Sequence, residues 1–193
     1  MKIYLARHGE SVGNSQKLIF GVSDYPLTEK GIMQAERLRD KLKSIDFSEC
    51  YTSELSRAYV TAEICLKNRK KNITKLTGLN EQNLGALEGK GINQLVQNRM
   101  ERIGDIFEGL VHNPPAGSES YEDMYARVSE CLKKIIDKNE DVLIVSHTGP
   151  LSIIVTNLLH LPIKSVHSFF FEFGTYSMLE IQDNKTKLRC FNK

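Results

Sequence analysis

The chain reads as an α/β protein, a three-layer α/β/α sandwich around a mostly parallel central sheet, in a single domain spanning residues 1–193. Three observations point there. Strand and helix patterns alternate for most of the length. Val142-Leu143-Ile144-Val145 is a continuous apolar run of the kind that forms a strand buried on both faces. With 193 residues, 40% of them hydrophobic and 26% charged, the chain has the apolar material for one core of ordinary domain size.

The elements follow in order. Lys2 to Ala6 reads as the first strand. After an irregular stretch ending in Asp24-Tyr25-Pro26-Leu27, Thr28 is a natural N-cap, and Ala35, Leu38, Leu42 and Ile45 recur at helical spacing, predicting a helix from about Thr28 to Ser44. A short strand at Glu49 to Thr52 precedes Ser53, a second N-cap candidate, with Ala58, Ala62, Ile64 and Cys65 as the apolar face of its helix. Ile73 to Leu76 makes a third strand. Gly78 to Gly91, with four glycines among polar residues, reads as a loop, followed by a helix. Asn113-Pro114-Pro115-Ala116-Gly117 breaks the chain. Ser118 or Ser120 then caps a helix carrying Tyr121, Met124, Val128, Leu132 and Ile135. Asp141 to Ser146 is the central strand, and Gly149-Pro150 opens another helix, with proline in a tolerated first-turn position. The tail reads as edge strands at Phe169 to Phe173, Ser177 to Gln182 and Leu188 to Phe191, with a turn at Asp183-Asn184-Lys185-Thr186.

The bulk properties narrow the function. With 26 basic and 24 acidic residues the net charge is +2, so no sequence-wide field favours nucleic acid or an anionic membrane, and neither is expected as a partner. The apolar start, Met1 to Ala6, is too short for a signal peptide or a membrane span, which suggests a cytoplasmic protein. Cys50, Cys65, Cys131 and Cys190 form no C-x-x-C pair and read as reduced thiols in or near the core, with no metal or cofactor expected.

Two histidines carry the chemical signal. His8 ends the first strand in Leu5-Ala6-Arg7-His8-Gly9, and His147 ends the central strand in Val145-Ser146-His147-Thr148-Gly149. In open α/β sheets ligands bind beyond the carboxyl ends of the strands, so two parallel neighbours would bring these imidazoles together. One such histidine could merely cap a strand; the pair points to a site. Arg57 adds to it. In the first turn of the helix after Ser53 a cation opposes the helix dipole by about 0.3–1 kcal/mol, a cost that a bound anion or a salt bridge to Glu54 or Glu63 would offset. Arg7, Arg57 and the backbone donors of Thr148 and Gly149 could converge on a phosphate.

At this point the residues resemble a known family. Arg7-His8-Gly9-Glu10-Ser11 with Asn14, Pro26-Leu27-Thr28-Glu29-Lys30-Gly31 with Gln34-Ala35, Thr52-Ser53-Glu54-Leu55-Ser56-Arg57-Ala58 with Thr61-Ala62, Leu79-Asn80-Glu81 with Gly85 and Glu88-Gly89, and Val145-Ser146-His147-Thr148-Gly149 look like the histidine phosphatase (phosphoglycerate mutase-like) superfamily. The ordered set runs from residue 1 to about 160. The resemblance implies that His8 is the phosphorylated nucleophile, that Arg7, Asn14, Arg57 and His147 hold the phosphoryl group, and that Glu81 is the proton donor.

Those roles make chemical sense. A neutral imidazole, with an ordinary pKa near about 6.5, is a competent nucleophile, and a backbone acceptor on one ring nitrogen would aim the other at phosphorus. The transferring group spreads charge over its oxygens, which Arg7, Arg57, Asn14 and a cationic His147 would stabilise. Glu81 would protonate the leaving alkoxide and then deprotonate water. Glu88 is the alternative acid, because the family commonly has an aromatic before Glu-Gly and this chain has Leu87.

The compact stretch between Glu81 and Asp141 favours a phosphatase, since the mutases of this family carry longer insertions there. The length and the ending, Ser168 to Asn192, are similar to α-ribazole-5′-phosphate phosphatases of cobalamin assembly, which implies that substrate. A broad-specificity phosphatase, a phosphoserine phosphatase and a phosphoglycerate mutase are the alternatives within the superfamily. A non-catalytic phosphate-binding module and a metallophosphatase built on His8, His147 and nearby carboxylates are the alternatives outside it. Monomer and homodimer both stay open.

The other features have bland readings. His112 reads as a loop residue, His160 as a helix end before Pro162, and His167 as surface or pocket rim. Phe169-Phe170-Phe171 reads as a buried strand of which one ring could line a pocket. The basic run Lys67 to Lys71 reads as a solvated helix end, and Ser146 lacks the G-x-S-x-G elbow of a serine hydrolase.

Overall fold

The structure is a computed structural model that describes residues 1–93, 117–183 and 185–193. Its elements, in chain order, are β1 (Lys2–Arg7), α1 (Val12–Ser15), α2 (Glu29–Leu42), β2 (Glu49–Thr52), α3 (Ser56–Leu66), β3 (Ile73–Lys75), α4 (Tyr121–Ile136), β4 (Val142–Ser146), α5 (Thr148–Leu158), β5 (Ser177–Gln182) and β6 (Lys185–Cys190). Short 3₁₀ turns at Thr77–Leu79, Gly85–Leu87 and Ile163–Ser168 join them.

The strands lie in the order β3-β2-β4-β1-β5-β6. The first four run parallel, and β5 and β6 add an antiparallel edge. Because successive side chains point to opposite faces, β1 and β4 each supply two cores. Ile3, Leu5, Val142 and Ile144 pack against Met124, Val128, Leu132 and Ile135 of α4 and Leu151, Ile154 and Val155 of α5. Tyr4, Ala6, Leu143 and Val145 pack instead against Leu38 and Leu42 of α2 and Ala58, Ala62 and Cys65 of α3. The sandwich is therefore three-layered, as the alternating pattern predicts. Cys50, Cys65 and Cys131 are buried and Cys190 half-buried, all as free thiols.

Thr28 caps α2 by accepting from the Gly31 N–H at 3.0 Å, and Ser120 caps α4 by accepting from Asp123. Four expectations change. Ser53 does not cap α3; the helix starts at Ser56, whose N–H and hydroxyl both donate to Asp24, while the Ser53 hydroxyl is committed elsewhere. Phe169 to Phe173 is not a strand. Side chains satisfy its backbone instead: Arg7 donates to the Phe171 carbonyl, Asn192 donates to the Phe170 carbonyl and accepts from the Glu172 N–H. The third strand stops at Lys75, and Leu76 N–H donates to the Thr52 carbonyl. The hairpin is tighter than expected, because Lys185 and Thr186 already pair with Gln182 and Ile181. The break at Asn113 to Ala116, His112 and most of the helix expected after Gly91 lie outside the described residues. No helix among the described residues is long and apolar enough to cross a membrane.

Candidate active site

The site forms where β1 and β4 end side by side. Arg7 and Ser146 are register partners, and His8 N–H donates to the Ser146 carbonyl at 3.0 Å, so His8 and His147 leave the sheet together. Their rings lie 4.9 Å apart. The loop after His8 is tied down by Gly9 N–H donating to Thr61 Oγ1 on α3 at 3.0 Å.

His8 is held in one tautomer. Its Nδ1 lies 2.6 Å from the Gly9 carbonyl, and a carbonyl only accepts, so Nδ1 carries the proton and Nε2 keeps its lone pair. Burial, then the charges of Arg7 and Arg57, push its pKa well below the ordinary imidazole value, although the Gly9 bond pulls the other way. The ring is neutral, with its unprotonated Nε2 free to act as a nucleophile.

Around it are the groups a phosphoryl oxygen would need. Arg7, His8, Asn14, Arg57 and Glu81 line one cavity of about 400 Å³. Arg7 stacks 4.1 Å over Phe173 and donates to the Phe171 carbonyl at 3.2 Å; burial lowers its pKa to about 10. Arg57, fully buried, donates to the carbonyls of Ser23 and Gly21 at 3.0 and 2.5 Å and lies 3.6 Å from Asp24. Neither Glu54 nor Glu63 partners it, as the sequence left open. Burial lowers its pKa too, opposed by Glu81, Asp24 and Glu88. Asn14 Oδ1 accepts from the Ser11 N–H and hydroxyl in a capping box at the start of α1, which leaves its amide donors for the cavity. Arg7 Nε, Arg57 Nε, His147 Nδ1 and Thr148 Oγ1 are buried with no hydrogen-bond partner among the described residues, and unmet polar atoms beyond the strand ends suit an anion.

Two expectations about phosphate ligands are corrected. With no anion bound, His147 is not cationic: burial first, then Arg57, His8, Arg7 and Arg127, hold its pKa well below the ordinary value. The Gly149 N–H is already engaged, donating to Glu81 Oε2 at 3.3 Å. A Cβ at this position would push the Glu81 carboxylate from its place.

Glu81 and Glu88 also part ways. Glu81 lines the cavity of His8 and is seated by the start of α5. Glu88 accepts from the backbone N–H groups of Gly21, Val22, Ser23 and Leu84 at 3.0–3.2 Å. Burial alone would raise its pKa, but the Ser23 hydroxyl and the backbone N–H groups of Leu84, Gly21 and Ser23 outweigh it and hold the carboxylate below its usual range. Glu88 is a loop staple, whereas Glu81 faces the cavity of His8.

A second cavity, about 430 Å³, begins where the first ends. Phe20, Glu81, Leu84 and Phe170 line both, and Tyr121, Val166, His167 and Phe169 complete an apolar and aromatic wall. The Tyr121 and His167 rings lie 5.1 Å apart, tilted at 58°, so His167 is a rim residue as the sequence allowed. Burial and the nearby Glu81 raise the Tyr121 pKa to about 12, keeping the phenol neutral.

The sequence pass missed Arg127. From α4 its guanidinium donates to the carbonyls of Gly78, Asn80 and Glu81 at 2.8–3.2 Å and pairs with Glu119, clamping the loop that carries the carboxylate. Nothing in the helical periodicity sets this arginine apart from a solvated one. Asn80 was visible only as part of a motif, without a task, and Ser53 only as an N-cap candidate. Among the described residues no three His, Cys, Asp or Glu side chains are grouped as a metal site requires.

Paired imidazoles, buried guanidiniums and a seated carboxylate at the strand ends of a parallel sheet define an enzyme that handles phosphoryl groups. The chain belongs to the histidine phosphatase superfamily, branch 1, whose family model matches residues 3–193. It is 31% identical to the adenosylcobalamin/alpha-ribazole phosphatase of Salmonella typhimurium, over 100% of this chain and 96% of that one. It is also 31% identical to a probable phosphoglycerate mutase, GpmB, of Salmonella arizonae, over 84% of this chain and 76% of the relative. The crystal structure of the alpha-ribazole phosphatase from Shigella flexneri superposes with a TM-score of 0.91 at 30% identity, covering 100% of this chain and 96% of that one. The resemblance read from the motifs is thus borne out, and the chain is a phosphatase.

Proposed function

We propose that the phosphatase works through a phosphohistidine on His8 and that its substrate is α-ribazole 5′-phosphate. The observation that carries the chemistry is the fixed tautomer of His8, whose unprotonated Nε2 shares a cavity with Arg7, Asn14 and Arg57. Nε2 attacks phosphorus, the bond to the ester oxygen breaks, and Glu81 protonates the departing alkoxide. The phosphorylated ring keeps its Nδ1 proton on the Gly9 carbonyl, which stabilises the positive charge. Water then attacks phosphorus, Glu81 takes its proton, and the phosphorus–nitrogen bond breaks to release orthophosphate and neutral His8. Arg7, Arg57 and Asn14 hold the equatorial oxygens, with Thr148 and His147 at the end of β4 completing the cradle.

The second cavity supports the choice of leaving group. It opens directly beyond Glu81, and its lining among the described residues contains no lysine or arginine. A glycerate or serine leaving group carries a carboxylate that such a wall leaves without a strong partner. A ribose bearing a flat aromatic base matches both the size and the aromatic rings. The full-length relatives named for alpha-ribazole agree with this reading.

A panel of phosphomonoesters at matched concentration tests it. The kcat/KM for α-ribazole 5′-phosphate should exceed that for phosphoserine and for 3-phosphoglycerate by about tenfold or more. Equal values, or a preference for a carboxylate-bearing ester, would sink the substrate assignment while leaving the His8 chemistry standing.

A further inference from the structure

We propose that Ser53 and Asn80 act as positioning residues that fix the tautomer of His147, presenting an unprotonated Nδ1 that takes up a proton when a tetrahedral dianion enters the pocket. This rests on the phosphate-pocket reading above, but the tautomer can be measured without any substrate.

Donors and acceptors around Ser53 Oγ leave His147 a single choice. Glu54 N–H donates to Asn80 Oδ1 at 2.9 Å, and Asn80 Nδ2 faces Glu54 Oε2 at 3.4 Å, so the orientation of the amide is settled with its oxygen inward. That oxygen lies 2.9 Å from Ser53 Oγ. Since it cannot donate, the single hydroxyl proton of Ser53 is spent on it. Ser53 Oγ also accepts from the Leu55 N–H at 3.1 Å. At 2.8 Å from the same oxygen, His147 Nε2 finds no proton to accept and must be the donor. A neutral His147 therefore has its proton on Nε2 and a bare Nδ1, and Nδ1 is the ring atom that is buried with no partner.

The surroundings make that nitrogen responsive. Arg57 of α3, Arg7 and His8 at the end of β1 and Arg127 of α4 act on the ring with positive or potentially positive charge, and all disfavour imidazolium. Glu81 bonds to Gly149 two residues along. A dianion among the arginines reverses the local sign, so protonated Nδ1 becomes a donor to a phosphoryl oxygen. The empty-handed Nδ1 and the committed hydroxyl of Ser53 are two halves of one device. Asn80, next to Glu81 in sequence, couples the acid's loop to it.

Nitrogen-15 NMR of imidazole-labelled protein decides the matter, with tungstate as a tetrahedral dianion that carries no proton at pH 8. In the free enzyme His147 should show a protonated Nε2 and a bare Nδ1, and tungstate should protonate Nδ1 as well. Tungstate affinity should fall as pH rises, by up to about tenfold per unit. Ser53→Ala should lose the Nε2–H preference and flatten that pH dependence. A free enzyme with the proton on Nδ1, or a Ser53→Ala protein with the tautomer and pH dependence unchanged, would overturn the proposal. The wild-type spectrum decides even if the variant does not fold. Turnover of the phosphoester panel can succeed or fail independently.

Discussion

His8 keeps a bare Nε2, as the proposed nucleophile needs, because two short-range facts coincide: the Gly9 carbonyl takes its Nδ1 proton, and burial among arginines denies it a second one. The proposed acid, Glu81, is favoured by position, with Gly149 N–H on one oxygen and both cavities meeting at its side chain. Glu81→Gln should slow turnover by about 10²–10⁴-fold for alkyl phosphates and much less for aryl phosphates, whose leaving groups need no proton. Equal slowing for both, measured as kcat, would count against Glu81. The sequence alone left Glu81 and Glu88 open because both sit in one glycine-rich loop. Only the fold reveals that four backbone N–H groups saturate Glu88.

Helices and strands were legible wherever burial was periodic. Thr28, Ser120 and the apolar run of β4 each fixed an element to within a residue or two. Legibility failed where a side chain from elsewhere replaces local hydrogen bonding. Asp24 starts α3 in place of Ser53, and Asn192 with Arg7 supports the phenylalanine run in place of a ladder. Such partners are 20 or more residues away in sequence, beyond any local pattern. The basic run after α3 is a milder case. Arg69 donates to the carbonyls of Leu42, Lys43 and Ile45 and lies 5.0 Å over Phe47, closing the end of α2 from outside it. Arg69→Ala should lower stability by about 1–3 kcal/mol and leave kcat/KM unchanged. Urea unfolding beside a steady-state assay checks this; an unaltered midpoint would show that the run is merely solvated.

Burying two imidazoles inside a cationic pocket has a cost that the entire fold carries. His8 and His147 are held neutral, by burial first and then by the arginines, while in the unfolded chain they titrate near about 6.5. Their folded pKa values lie below the unfolded ones, so the unfolded state binds more protons as pH drops. Stability is then full above about pH 6.5 and falls below it, each histidine contributing up to about 1.4 kcal/mol per unit. Thermal unfolding between pH 7.5 and 5.5 should show a falling Tm, and His147→Gln should reduce the slope. A flat profile would mean that the rings accept protons in place. The family and the α/β sandwich were readable from the ordered motifs, since the same residues that build the strand ends build the site. The second cavity was not, because Phe20, Leu84, Tyr121 and Phe170 come from four separate segments.

Covalent transfer through His8 is what ties these observations together, and rapid quench during turnover of a ³²P-labelled phosphoester measures it most directly. The enzyme should carry label that is stable in alkali, lost in acid and mapped to His8, and His8→Ala should show neither label nor turnover. A His8→Ala protein that retains full turnover, or label residing on another residue, would contradict the mechanism.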